Sequence, residues 1–147
     1  AGEPPFLTAR ILSGAGWQVR TLDAIEPVCD YPCVDVHDLP FPDASFDLVI
    51  ARHVLEHVLI PPLVLSEMRR VSRRHLLVVV PCVSDKAIDW PDHLYVLPER
   101  SWERLFDKLG LQIERFTTGD HTEEHALTHS LWRDTQLRWL LSKKENA

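Results

Sequence analysis

Residues 35–58 constrain the fold of this chain more than any other stretch of the sequence. Residues 39–45, Leu-Pro-Phe-Pro-Asp-Ala-Ser, have the composition of a tight loop, because proline, aspartate and serine favour turns. Phe46 to Ala51 is an apolar run of strand length, interrupted only by Asp47. His53 to Val58 is predicted to form one or two turns of helix. Strand, sharp exit and helix make the half-unit of α/β sheets, in which ligands bind at the carboxyl ends of the strands.

The rest of the chain continues this alternation of strands and helices over 147 residues, about one domain. His75 to Val80 is a continuous apolar run, as expected for a strand covered on both faces. The predicted helices are Phe6–Ser13, Pro61–Val71 and Pro98–Leu109, and the other predicted strands are Trp17–Leu22, Tyr31–Val36, Leu111–Phe116 and Leu137–Leu141. The helix at Pro61–Val71 requires a right-handed crossover, so the strands on either side of it should be adjacent and parallel.

The charge and the apolar pattern argue against two kinds of partner. The net charge is -6 and the sequence pI is about 5.7, whereas non-specific nucleic-acid binding needs a positive surface. The one basic cluster is expected to complement a helix C-terminus, and it consists of Arg69, Arg70, Arg73, Arg74 and His75. No signal-peptide pattern or apolar run of membrane length is seen, so we expect no membrane partner and a cytoplasmic location.

The three cysteines, Cys29, Cys33 and Cys82, are too few for a disulfide framework in a chain of this size. Cys29 and Cys33 together with His37 match no standard zinc spacing, and a fourth ligand is not evident. We interpret the cysteines as packing residues in a reducing compartment.

A metal-binding signature occurs twice in the sequence. His53-x-x-Glu56-His57 and His121-x-x-Glu124-His125 both have the H-x-x-E-H pattern of a class of zinc proteases. Such a protease needs a longer helix and a further ligand downstream. Because His53 follows a buried strand by only two residues, no metal site is expected from this pattern.

The order of motifs in residues 35–58 resembles the central motif of class I S-adenosylmethionine-dependent methyltransferases of the small-molecule type. An acidic residue, a Leu-Pro-Phe turn, a Ser-Phe-Asp and a His-x-x-Glu-His segment follow one another. The resemblance implies a Rossmann-like, mostly parallel sheet with helices on both faces. The implied strand order is 3-2-1-4-5-7-6 with the last strand antiparallel. It also implies S-adenosylmethionine as cofactor and a small molecule as methyl acceptor.

Several residues are expected to contact the cofactor. Asp23 ends a predicted strand 21 positions after Gly2, close to the spacing at which an acidic residue binds ribose hydroxyls. By resemblance, Gly2 belongs to the end of a glycine-rich loop. Asp35 would accept a hydrogen bond from the adenine amino group, and the backbone N–H of Val36 would bind the ring. The alternative for Asp35 is turn formation by a short carboxylate.

The residues just after Ala51 are the candidates for chemistry. Arg52 and His53 are expected at the cofactor, and His53 is the first candidate for a general base because imidazole accepts protons near neutral pH. His93 is the second candidate, since it lies in the long segment Ser84–Tyr95 after the fifth strand of the family. The alternative is that His53 only packs against the cofactor and that the loop residues are surface.

One feature of the family is missing. The resemblance implies a first strand and a G-x-G loop before Gly2, and the sequence shows neither. We therefore expect residues 1–147 to be one methyltransferase-like domain that is incomplete at its N-terminus, with weak cofactor binding on its own. The alternative function is a non-catalytic binding or structural domain that has lost the cofactor.

Overall fold

A computed structural model describes residues 7–23, 30–32, 34–123 and 132–145. The helices are α1 (Leu7–Gly14), α2 (Pro61–Val71), α3 (Asp85–Asp89) and α4 (Glu99–Lys108). The strands are β1 (Leu22–Asp23), β2 (Tyr31–Pro32), β3 (Phe46–Arg52), β4 (Ser72–Pro81), β5 (Leu111–Glu123) and β6 (Trp132–Lys143). None of these helices has the length and apolar character needed to cross a membrane.

The main sheet has four strands in the order β3-β4-β6-β5. β3 and β4 are parallel, with Leu48 opposite His75 and Arg52 opposite Val79, so the predicted crossover through α2 is confirmed. β6 runs antiparallel to both of its neighbours. β1 and β2 form a separate parallel pair. The chain therefore has the predicted α/β class, with one antiparallel strand in a mostly parallel sheet.

Two predicted strands were too long and one predicted helix was wrong. The predicted strand Trp17–Leu22 forms strand hydrogen bonds only at its end, at Leu22–Asp23. The predicted strand Tyr31–Val36 does so only at its start, at Tyr31–Pro32. Within the described residues, His53–Val58 forms turns instead of a helix. The physical reason is that the backbone of His53 is left-handed, with φ 53°, and cannot continue into a right-handed helix.

The apolar stripe of α2 is buried against the sheet. Val64, Leu65, Met68 and Val71 are at most 3% exposed. From α4, Trp102 and Phe106 are fully buried, and the ring of Phe106 meets that of Trp139 on β6 at 5.2 Å in an edge-on contact. Gly110 follows α4 with φ 70°, the left-handed conformation that ends a helix at glycine.

A single arginine fixes the loop that precedes β3. Arg70, in the last turn of α2, donates to the carbonyls of Leu39 at 2.9 Å and Phe41 at 2.7 Å. The same guanidinium contacts Glu67 at 2.7 Å and Asp43 at 2.9 Å. Hydrogen bonding from Arg70 lowers the pKa of the Glu67 carboxyl below its usual range. The basic cluster was thus predicted in part: Arg69 and Arg70 end α2, whereas Arg73 and Arg74 already belong to β4.

We predict that Glu67→Gln lowers the free energy of unfolding by about 1.5–3 kcal/mol at pH 7, the range for a hydrogen bond to a charged group. Because the pKa of Glu67 is lowered in the folded state, its contribution is present above the unfolded pKa and is lost as pH falls through the folded pKa. Urea unfolding at pH 7 and pH 3 should show a larger difference from the wild type at pH 7 than at pH 3.

The control is Asp47→Asn, which removes an exposed ion pair with Arg73 and should change stability little. An equal loss for both variants, or a Glu67→Gln effect that is undiminished at pH 3, would contradict the role given to Glu67.

Candidate functional site

A cavity of about 800 Å³ lies between β3 and the segment that leads into β1. Trp17 to Leu22 line one side, and Leu48 to Val54 line the other. Alternate residues of a strand point to opposite faces, so seven consecutive lining residues indicate that the cavity follows the edge of β3. That edge has no partner strand among the described residues, because β3 is the end strand of its sheet.

His53 stands where β3 ends at this cavity. Its backbone N–H donates to Val79 of β4 at 3.0 Å, so the left-handed turn is anchored to the sheet. Its Nδ1 lies 2.8 Å from Oε1 of Glu56, and its Nε2 lies 2.7 Å from Nε2 of Gln136. A carboxylate only accepts, so Nδ1 carries the proton and Nε2 accepts from the Gln136 amide. Both ring nitrogens are therefore positioned by other side chains.

Glu56 connects the turn after β3 to the loop after β4. Its side chain is 0% exposed, and its backbone carbonyl accepts from the N–H groups of Leu94 at 2.7 Å and Tyr95 at 3.2 Å. The hydroxyl of Tyr95 donates to the carbonyl of Leu59 at 2.9 Å. These bonds hold the predicted loop Ser84–Tyr95 against residues 53–60.

The second predicted candidate, His93, lies beside His57 on the far side of Glu56. The rings of His57 and His93 are 4.9 Å apart, and Nε2 of His57 is 4.0 Å from Oε1 of Glu56. His57 lines the large cavity, whereas His93 is not among its lining residues. The two histidines named from the sequence are thus linked through Glu56 and His57.

The structure brings some of the expected cofactor residues together. Leu22, Val36 and Arg52 all line the cavity with His53. Asp35 is not among the lining residues; its exposed Oδ1 accepts from the backbone N–H of His37 at 2.9 Å and from His37 Nδ1 at 2.7 Å. The bond from the His37 backbone, with a smaller effect of its ring, lowers the pKa of the Asp35 carboxyl. Asp35 thus forms a turn with His37, and its contact with adenine stays a prediction.

Two expected cofactor residues fall outside this description. Gly2 lies outside the described residues. Asp23 is the last residue of β1, next to Leu22, but its side chain is also outside them.

The fold is one found in methyltransferases. Residues 11–80 match the family model described as a methyltransferase domain. A structure assigned as a methyltransferase of Bacillus halodurans C-125 is similar over 91% of this chain and 86% of that chain, with 16% identity and a TM-score of 0.69. Residues 11–80 thus resemble a methyltransferase domain, and the fold of the chain is that of the methyltransferases to which it is similar.

Other structures similar to this chain include the Burkholderia thailandensis 1,6-didemethyltoxoflavin-N1-methyltransferase, which was solved with 1,6-didemethyltoxoflavin and S-adenosylhomocysteine. That likeness covers 94% of this chain and 66% of that chain, with 16% identity and a TM-score of 0.68. A Haloferax volcanii chain in complex with a methyltransferase activator is similar over 76% of this chain and 60% of that chain, with 15% identity and a TM-score of 0.59. No curated protein matches in sequence.

Sequence reasoning missed Gln136 as a member of this candidate site. Gln136 is 2% exposed on β6 and reaches His53 across 83 positions of sequence. Only the cross-strand register, which places Gln136 opposite Pro81 at the end of β4, brings it there. Glu56 had a signal, since it is the acidic residue of H-x-x-E-H, but its complete burial was not predicted.

The hydrogen bonds of His53, His57 and His93 predict the same neutral tautomer for all three rings, with the proton on Nδ1. Each Nδ1 lies within 2.9 Å of an oxygen that only accepts, on Glu56, Asp92 and Ala87 respectively. Long-range ¹H–¹⁵N NMR spectra, taken where the rings are neutral, should show these three histidines as Nδ1–H. Assignment of His53 as the Nε2–H tautomer would contradict the geometry.

Proposed function

We propose that this domain binds S-adenosylmethionine in the cavity beside β3 and transfers a methyl group to a small-molecule acceptor. The observation that carries the proposal is that one cavity collects Leu22 at β1, Val36, and Arg52 and His53 at the end of β3. These are positions where ligands bind in open α/β sheets. About 800 Å³ lies within the usual range of small-molecule sites.

The lining of the cavity fits this cofactor. It combines apolar side chains, such as Leu22 and Val36, with the polar groups of Arg52 and His53. We propose that Asp23 binds the ribose hydroxyls, that Asp35 and the Val36 N–H bind the adenine, and that the loop containing Gly2 lies against the cofactor. The similar Burkholderia thailandensis structure with S-adenosylhomocysteine supports this choice of cofactor.

The protein itself has to align the acceptor with the methyl group and remove a proton from the acceptor. When bound, S-adenosylmethionine supplies a methyl group already activated on a sulfonium. The walls of the cavity hold the acceptor in line and exclude water. His53 takes the proton of an acceptor hydroxyl or protonated amine on Nε2. In this structure the Gln136 amide donates to that nitrogen, and the acceptor takes the place of the amide. Glu56 keeps the ring in orientation through Nδ1.

We predict that His53→Asn lowers turnover by about 10²–10⁴-fold, the usual contribution of general acid–base catalysis. The affinity for S-adenosylhomocysteine should change little, because the proton is taken from the acceptor and not from the cofactor. Single-turnover methyl transfer from radiolabelled S-adenosylmethionine and calorimetry with S-adenosylhomocysteine separate the two effects.

His93→Asn tests the second candidate in parallel, and His75→Asn is the control at the amino end of β4, opposite Leu48. Full turnover in His53→Asn would remove the base from the proposal. Loss of turnover in the His75 control would mean that histidine replacement acts through stability.

For Asp23→Ala we predict a loss of about 1.5–3 kcal/mol in the binding of S-adenosylhomocysteine, the range for hydrogen bonds to a charged group. The matched control is Asp47→Ala, which replaces an exposed carboxylate at the amino end of β3. Calorimetric affinities that are equal for Asp23→Ala and the wild type would rule out ribose binding by Asp23.

We also propose that a further strand pairs with the free edge of β3, fills the part of the cavity along that strand, and leaves the part at Arg52 and His53 to the cofactor. The cavity along that edge supports this, since an unpaired strand edge leaves backbone N–H and C=O groups without partners. A version of the chain extended at its N-terminus by an apolar strand and a G-x-G loop should bind S-adenosylhomocysteine more tightly than residues 1–147. Equal affinity for the two would contradict this completion.

A further inference from the structure

We infer that Glu56, His57 and His93 form a binding site for a divalent transition-metal ion such as Zn²⁺. One ligand atom from each of these residues lies within 4.8 Å of the others. Imidazole nitrogens and a carboxylate are the ligand types that zinc and similar ions prefer. The site differs from the one that the H-x-x-E-H spacing suggests, because His53 is bonded to Glu56 and takes no part as a ligand.

The first argument is the state of the Glu56 carboxylate. The side chain is completely buried, and Oε1 accepts from His53. Among the described residues no donor reaches Oε2, although that atom has almost no exposed surface. A buried carboxylate oxygen without a partner is costly, so groups of this kind are normally hydrogen-bonded, paired or bound to a metal. Oε1 is the oxygen nearest to His57 Nε2, at 4.0 Å, and a cation held between the carboxylate and the two imidazoles compensates the buried charge of Glu56.

The second argument is the orientation of the two imidazoles. Nδ1 of His57 donates to the carbonyl of Asp92 at 2.9 Å, and Nδ1 of His93 donates to the carbonyl of Ala87 at 2.7 Å. Each ring therefore keeps its lone pair on Nε2. A metal-binding histidine usually donates its other ring nitrogen to a carbonyl or carboxylate in this way, which fixes the tautomer and the ring plane.

The surroundings of the three residues hold them in place and leave a route for an ion. The loop that carries His93 is joined to Glu56 by the N–H groups of Leu94 and Tyr95. The His57 side chain is 38% exposed, so one side of the site is open to solvent. Three protein ligands leave a position for water. With tetrahedral metal–ligand bonds of about 2.1 Å the ligand atoms lie about 3.4 Å apart. Ligand atoms as far apart as 4.8 Å therefore have to approach one another by about 1.4 Å.

The test is a calorimetric titration of residues 1–147 with ZnCl₂, followed by the visible absorption of the Co²⁺ complex. We expect one ion per chain and a Co²⁺ spectrum of nitrogen and oxygen ligands without a thiolate charge-transfer band. His93→Gln should weaken Zn²⁺ binding by at least about 100-fold, since replacing only a supporting residue costs about 10–100-fold. Glu56→Gln, which keeps the shape of the side chain, should do the same.

The matched control is the double variant His121→Gln/His125→Gln, which removes the histidines of the second H-x-x-E-H segment and should bind Zn²⁺ as the wild type does. Absence of Zn²⁺ binding, undiminished binding by His93→Gln, loss of binding in the control, or a thiolate band would each overturn the site. His93 is on a surface loop, so its variant remains a fair test if the buried Glu56→Gln variant fails to fold. Circular dichroism checks the fold of both.

Discussion

A carboxylate that is buried beside a sheet needs donors or positive charge around it, and this constraint on Glu56 shapes the whole candidate site. Its Oε1 takes the Nδ1 proton of His53, which sets the plane of that ring and leaves Nε2 to Gln136. Its backbone carbonyl takes two N–H groups from the loop after β4. One residue therefore joins the turn after β3, the loop that carries His93 and, through His53, strand β6.

The left-handed backbone of His53 is part of the same arrangement. A non-glycine residue at positive φ costs energy, and such strain persists where surrounding contacts hold it. Here the contacts are the hydrogen bond to Val79 on the sheet side and the bonds to Glu56 and Gln136 on the ring side. The turn aims the imidazole toward the cavity at the end of β3, where an acceptor proton would lie in the proposed reaction.

The elements predicted well are those whose sequence signal depends on local burial. β3, β4 and α2 follow from two apolar runs and an apolar stripe, and their parallel pairing follows from the crossover. The short pairing of β1 and β2 could not be predicted, because alternation alone does not say which backbone groups find a partner. The contact between His53 and Gln136 was also beyond the sequence, since it depends on the register of β6 against β4.

The central claim is that the cleft between β1 and the end of β3 is the cofactor site. The most direct measurement is a titration of the ¹⁵N-labelled chain with S-adenosylhomocysteine, followed by ¹H–¹⁵N NMR. Saturable shifts of the backbone amides of Leu22, Val36 and His53, with none at Asp107 in α4 and Lys144 after β6, are the predicted result. A titration that leaves the first three unchanged, or that moves only residues outside the cleft, would contradict the claim.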